Sequence, residues 1–195
     1  MLWSARLDGN GNGNDEAKSL TVDAMGNVIV TGFTQGNGTA KDYTTVKYNN
    51  AGVQQWINNY NRIATSEDIP VGIVNDQAGN VYVTGYCTGL NTTTVDYITI
   101  AYSSNGAQLW AKTFTSGLLG VDDKASSIDI DGFGNIYVTG STVSSGTDFD
   151  YGTIKYSPAG NVLWSILYES NLSGNDAAAM IKTDNKGNVY VTGTS

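Results

Sequence analysis

The run Gly26-Asn27-Val28-Ile29-Val30-Thr31-Gly32 returns, in the same order of residue classes, at 79–85, 134–140 and 187–193. Successive starts lie 53, 55 and 53 residues apart, and Trp3, Trp56, Trp110 and Trp164 recur at spacings of 53, 54 and 54. Self-similarity of this period confines the chain to an array of one supersecondary unit, because each copy must bury its apolar face against its neighbours. The units run over residues 1–54, 55–108, 109–162 and 163–195, the last incomplete, and together they make a single domain over 1–195.

Within a unit, four short segments alternate in character and are separated by Gly, Asn, Asp or Ser clusters, the pattern of consecutive antiparallel strands. We label them a to d. Segment a ends at Asp23, Asp76, Asp131 or Asp184, each followed by two residues and Gly-Asn. This Asp-x-x-Gly-Asn run predicts a tight hairpin, with the carboxylate accepting nearby backbone N–H groups and Gly supplying positive φ. Segment b is apolar at consecutive positions, as in Val81-Tyr82-Val83, which requires cover on both faces. Segment c carries Asp-Tyr-x-Thr from Asp42, Asp96 and Asp150, and segment d holds the tryptophan four residues past the next turn glycine. The two-residue period puts Trp56 with Tyr60, Trp110 with Phe114 and Trp164 with Tyr168 on one face of d, where aromatic rings pack between blades.

Four-stranded units of this length without intervening helices predict an all-β fold, a β-propeller of four-stranded antiparallel blades. The segments run d, then a-b-c-d three times, then a-b, which gives about three and a half to four blades. A ring of six to eight such blades needs roughly 320–430 residues. The expected architecture is therefore an open arc or fragment of a larger ring, prone to self-association through unpaired blade edges.

Residue content narrows the function. Ten Lys and Arg against eighteen Asp and Glu offer phosphate backbones no attraction, so nucleic acid is not an expected partner. Eleven of the eighteen carboxylates fall at three repeating positions, so the acidity follows the architecture. With no histidine and a single cysteine, Cys87, the usual zinc, copper and haem ligand sets, histidine acid–base chemistry and an internal disulfide are all excluded. No apolar run approaches the roughly 20 residues of a membrane-spanning helix, so membrane insertion is not expected. Met1 is followed directly by repeat sequence rather than by a charged and apolar leader, in keeping with a partial reading frame.

The combination of Asp184 to Gly193 (Asp-x-x-Gly-Asn-Val-Tyr-Val-Thr-Gly), Asp150 to Tyr156 (Asp-Tyr-x-Thr-x-Lys-Tyr) and Gly160-x-x-x-Trp164 resembles the bacterial β-propeller repeat called SBBP, related to NHL-type propellers. The resemblance covers the whole chain. It implies a secreted or surface-anchored bacterial protein and a non-enzymatic structural or interaction module, and it supplies no catalytic residues. The alternatives it leaves are a carbohydrate-binding propeller and part of a polysaccharide-active hydrolase whose site lies in other blades.

Candidate sites follow from position. Asp15, Asp68, Asp123 and Asp176 stand in the d-to-a connections, where they could ring a channel mouth and hold Ca²⁺, or could each accept local backbone hydrogen bonds and orient the incoming strand. The chain otherwise calls for no cofactor. Asp129-Ile130-Asp131-Gly132 has the outline of a calcium loop only by coincidence, since other units carry Thr21, Val74 and Lys182 at the first position. A hydrolytic carboxylate pair would come from the non-repeating Glu16, Glu67, Asp122, Asp148 and Glu169. The b-to-c loops, 33–41, 86–95 and 141–149, are polar and different in every unit, the expected surface for a protein or glycan ligand. Phe33 and Tyr86 at their bases could stack on a sugar.

Overall fold

Each Asp-x-x-Gly-Asn segment closes the hairpin its residues predict. Asp23 Oδ1 accepts the Met25 and Asn27 N–H groups at 3.0 and 2.9 Å, while Oδ2 accepts the Asn27 side-chain amide at 2.7 Å. Asp131 repeats the arrangement with Phe133 and Asn135, and Asp184 with Lys186 and Asn188. The glycines of these turns, Gly26, Gly79, Gly134 and Gly187, have φ between 77° and 81°, a conformation that disfavours a side chain.

The computed structural model describes residues 2–9, 11, 13–36, 40–63, 67–88, 94–118, 120–143, 148–169, 174–184 and 186–195. Fourteen strands among them form four antiparallel sheets that make no closed ring. Blade one is β1 (Glu16–Val22), β2 (Val28–Gln35), β3 (Lys41–Tyr48) and β4 (Gln54–Tyr60). Blade two is β5 (Asp68–Asn75), β6 (Val81–Thr88), β7 (Val95–Tyr102) and β8 (Gln108–Phe114). Blade three is β9 (Lys124–Ile130), β10 (Ile136–Thr142), β11 (Asp150–Tyr156) and β12 (Val162–Tyr168), and β13 (Ala177–Thr183) pairs with β14 (Val189–Thr194) alone. The strands are hydrogen-bonded in chain order, as in propeller blades.

The first strands of successive units, β1, β5, β9 and β13, touch one another in order, which makes segment a the inner edge of the arc. Side chains join them: the Thr21 hydroxyl donates to Asn75 at 2.5 Å, and Asp129 accepts the Thr183 N–H at 2.7 Å. Asp129 thus serves the contact between units, accepting from Thr183 and Lys182 of the next one. Strand b is buried in blades two and three, with Val81, Val83, Ile136 and Val138 fully enclosed, and partly buried in blade one, where Ile29 is enclosed and Val28 and Val30 are half-buried. The Val-Thr-Gly threonines are enclosed too, each hydroxyl pairing with the strand c threonine opposite, as Thr84 with Thr99 at 3.0 Å and Thr139 with Thr153 at 2.9 Å.

The tryptophans bind one blade to the next. The Trp56 indole N–H donates to the Ser104 carbonyl at 3.1 Å, and its ring lies against Gly106 and Tyr102 of blade two. Trp110 does the same with the Pro158 carbonyl at 2.9 Å, Gly160 and Tyr156 of blade three. The expected first strand d is absent, because residues 2–9 form no strand among the described residues. A strand needs a hydrogen-bonded neighbour, and none of the described strands pairs with residues 2–9. Trp3 still occupies the tryptophan position, donating to the Asn50 carbonyl at 3.1 Å and packing on Gly52 and Tyr48.

The Val-Thr-Gly glycine answers a demand not visible in one unit. Opposite it, strand a slips register by one residue, at Lys18, Val71, Ser126 and Ala179, a β-bulge in every unit. The bulge drives a strand a carbonyl onto the glycine: a Cβ at Gly85, Gly140 or Gly193 would collide with the carbonyl oxygen of Ile69, Lys124 or Ala177. It would also meet the hydroxyl of Tyr43, Tyr97 or Tyr151, which reaches across from strand c of the preceding blade.

Candidate functional site

The rim that carries the b-to-c loops and d-to-a connections also carries the repeating aspartates that begin each unit's strand a. Asp15 accepts the Gly9 N–H at 2.7 Å and the Gln35 N–H at 3.1 Å. Asp123 accepts the Ser116 N–H at 2.8 Å and the Thr142 hydroxyl, while its own N–H donates to the Val95 carbonyl of the preceding blade. Asp176 likewise donates through its N–H to the Phe149 carbonyl at 2.6 Å. Asp68, Asp123 and Asp176 are buried, and the carboxylates of Asp68 and Asp123 each accept an N–H from the connection into their own blade. Among the described residues no group of three His, Cys, Asp or Glu comes together to hold a metal ion.

Unit two breaks the pattern. Cys87 stands where Thr34 and Thr142 stand in units one and three, so the hydroxyl that Asp123 receives has no counterpart at Asp68. Asp68 accepts the Arg62 N–H at 2.8 Å through Oδ2, but Oδ1 is buried without a well-formed hydrogen bond. The Thr88 N–H, counterpart of the Gln35 N–H that binds Asp15, lowers the proton affinity of the carboxylate without reaching good geometry. Asp42 Oδ1 and the Tyr43 hydroxyl, on the blade-one side, are buried and unsatisfied as well. Arg62 faces this group from the d-to-a connection, with its guanidinium 3.1 Å from Cys87 Sγ and 3.2 Å from Asp96 Oδ2.

The electrostatics follow the geometry. Burial raises the Asp68 carboxyl to about 6; the Arg62 N–H opposes the rise and the Asp42 charge adds to it. Burial also lifts the Cys87 thiol to about 11 against the pull of Arg62, so it is a neutral thiol at physiological pH. Tyr43 is pushed well above the ordinary phenol range by burial, with Cys87 and Asp68 adding to the shift. With Asp68 and Cys87 fully enclosed and Tyr43 1% exposed, a substrate has no route to these groups as packed. The cluster joins blades one and two. It was missed in the sequence because Arg62, Asp42 and Asp68 meet only across two units, and the one signal was the departure from threonine at 87.

The aromatic candidates fare differently. Phe33 is 5% exposed, and the Lys18 and Lys41 ammonium groups lie 5.4 and 5.0 Å from its ring centre, which leaves little ring face for a sugar. Tyr86 is half-buried, with the Lys124 ammonium 5.9 Å from its ring centre. The tips of the b-to-c loops, at 37–39, 89–93 and 144–147, lie outside the described residues. Of the non-repeating carboxylates, Glu16, Glu67 and Asp122 are each held by a lysine, at 2.7, 3.0 and 2.8 Å from Lys18, Lys41 and Lys124. Asp148 and Glu169 are exposed.

Residues 116–149 match the family model described as SBBP, beta-propeller repeat. The chain carries a propeller repeat of this kind there, spanning the d-to-a connection and the β9–β10 hairpin, and the same signature recurs in its other units. Among solved structures, a protein of unknown function from Bacteroides caccae superposes with a TM-score of 0.53 at 14% identity, over 91% of this chain and 53% of that one. The likeness is one of fold, and the chain spans about half the length of that structure. No curated protein matches the sequence.

Proposed function

We propose that the chain is a non-catalytic interaction and structural module of an extracellular or cell-surface bacterial protein, presenting its b-to-c rim to a protein or glycan ligand. One observation carries this reading: the recurring residues are consumed by the scaffold. The hairpin aspartates bind their own turns, the tryptophans grip the next blade's turn, the threonines pair across b and c, and the strand c tyrosines press on the next blade's glycine. The rim segments that differ from unit to unit are left free to specify a ligand on a rigid frame.

The test replaces 36–40, 88–94 and 143–148 with Gly-Ser segments of equal length and compares both proteins on glycan arrays and against bacterial envelope preparations. The expected outcome is an unchanged β-rich circular dichroism spectrum with loss of binding. Binding that survives the replacement, or turnover of a polysaccharide by the chain, would contradict the proposal. Glycan binding that also disappears with Tyr86→Ala would identify the ligand as carbohydrate.

A further inference from the structure

The joints between units can be compared at two positions, the first tyrosine of strand c and the aspartate that opens strand a of the next unit. Between blades two and three the Tyr97 hydroxyl donates to the Gly152 carbonyl at 3.2 Å, and Asp123 accepts the Ser116 N–H and the Thr142 hydroxyl. Between blade three and the last unit the Tyr151 hydroxyl donates to the Thr194 carbonyl at 3.3 Å. Between blades one and two the Tyr43 hydroxyl and Asp68 Oδ1 are both buried without a well-formed hydrogen bond. Two exchanges in unit two account for this. Ile98 stands where unit three has Gly152, and a Cβ at Gly152 would lie 3.0 Å from the Tyr97 hydroxyl and 2.8 Å from the Thr142 methyl. The side chain at 98 thus bars the tyrosine from the carbonyl and crowds out a threonine, and with Cys87 in its place the aspartate loses a hydroxyl donor.

The opposite rim of the same joint is well bound. At the c-to-d turn, Trp56 and Lys47 both donate to the Ser104 carbonyl, at 3.1 and 3.4 Å, and the Asn58 side-chain amide donates to the Gly106 carbonyl at 2.8 Å. Among the described residues Trp110 alone makes such a bond in the next joint, where Ala101 and Lys112 replace Lys47 and Asn58. Around Asp68 stand Asp42, Tyr43 and Tyr60 from blade one, Arg62 from the connection, and Tyr86, Cys87 and Asp96 from blade two. The Arg62 guanidinium is engaged by Cys87 and Asp96, so an ionised Asp68 faces Asp42 with only the Arg62 N–H in good geometry to receive it. The Lys41–Glu67 ion pair also crosses this rim, at 3.0 Å, but it lies at the surface, where solvent and salt screen it. We propose that the joint between blades one and two is a pH-sensitive hinge, bound at its c-to-d rim by Trp56, Lys47 and Asn58 and opened at its b-to-c rim when Asp68 loses its proton, while the joint between blades two and three stays shut. The closed joint raises the Asp68 carboxyl to about 6 and so holds the proton more tightly than the open one, which makes opening grow with pH. The hinge stands on the joint alone and requires no ligand at the rim.

Cys87, the single cysteine of the chain, is fully enclosed in this joint and reports its opening. The test measures the rate at which a dipyridyl disulfide labels Cys87 in the native full chain from pH 5 to 7.5, divided by the rate for the urea-unfolded chain at the same pH. The ratio should rise about tenfold over that range. It should depend little on added urea below the unfolding transition, as expected of an opening that exposes one joint rather than the whole core. In Asp68→Asn the ratio should stay level, and in Asp42→Asn, which takes away the facing charge, the rise should move to lower pH. If Asp68→Asn does not fold, the Asp42→Asn shift and the urea dependence decide the matter. A ratio independent of pH in the parent, an unchanged rise in either variant, or labelling that follows urea as steeply as global unfolding would overturn the proposal.

Discussion

β10 and β14 carry nearly the same residues, Ile136-Tyr137-Val138-Thr139-Gly140 and Val189-Tyr190-Val191-Thr192-Gly193, and they live in opposite environments. Ile136, Tyr137, Val138 and Thr139 are all fully buried, whereas Tyr190 is 58% exposed and the rest of β14 is open or half-open. The hairpin is as well made in both, since Asp131 and Asp184 bind their turns alike and Gly140 and Gly193 sit against the same bulge. Burial is therefore not a property of the signature. It comes from strand c of the same blade and from the blade that follows, each fully covered Val, Ile or Tyr contributing about 1.5–3 kcal/mol.

The largest break of this comparison is at the glycine. Gly140→Ala should destabilise the chain by about 3 kcal/mol or more, because neither the Lys124 carbonyl nor the Tyr97 hydroxyl can yield without moving a blade. Gly193→Ala creates the same collision with Ala177 and Tyr151, yet it should leave the main urea transition in place and release only β13–β14. Next comes the tryptophan. Trp110→Ala should cost about 3 kcal/mol in denaturant unfolding, since the indole contacts Tyr82, Tyr156 and Gly160 in two blades. Trp164→Ala loses mainly its contact with Tyr137 and should cost about 1 kcal/mol.

A second comparison, Asp68 with Asp123, sets the smaller effects. Asp68 faces Asp42 and Tyr43 from blade one, Arg62 from the d-to-a connection, and Cys87 and Asp96 from its own blade. Its folded pKa of about 6 lies above the ordinary 3.8, so between these values the folded state holds more protons than the unfolded one. Its contribution therefore favours folding below pH 4 and is lost as pH rises through 6, by up to about 3 kcal/mol. Asp23, held near 2 by Asn27 and Lys47 against its burial, works the other way and loses stability only below pH 4. Thermal melts from pH 4 to 7 should thus show a fall with rising pH that Asp68→Asn removes; an identical pH profile in the variant would exclude Asp68 as the cause. Cys87→Thr restores the donor that Thr142 gives Asp123, and should stabilise the chain at pH 7 by about 1 kcal/mol while flattening the same slope.

Much of this frame is legible in a single unit. The hairpin aspartate, its positive-φ glycine and the covered strand b all rest on local bonds or on side-chain period, which a sequence displays directly. The bulge opposite the Val-Thr-Gly glycine and the tyrosine that presses on it were not legible, because Tyr43 meets Gly85, and Tyr97 meets Gly140, only after two blades dock. Their joint recurrence in every complete unit was the available signal. Residues 2–9 show the converse, since their tryptophan spacing suggests a strand d, yet they pair with no described strand and form none. At the rim, Asp68 was found by its repeat position, while its orphaned oxygen depended on one threonine exchanged for Cys87 and on Arg62 from the preceding connection.

Native-state hydrogen exchange, read strand by strand on the intact chain, tests most directly the claim that neighbours rather than the signature supply stability. Amides of β6 and β10 should exchange only with global unfolding, and those of β14 should exchange at least a hundredfold faster despite the shared sequence. Equal protection of β10 and β14 would contradict it, and would place the stability of each unit in its own hairpin.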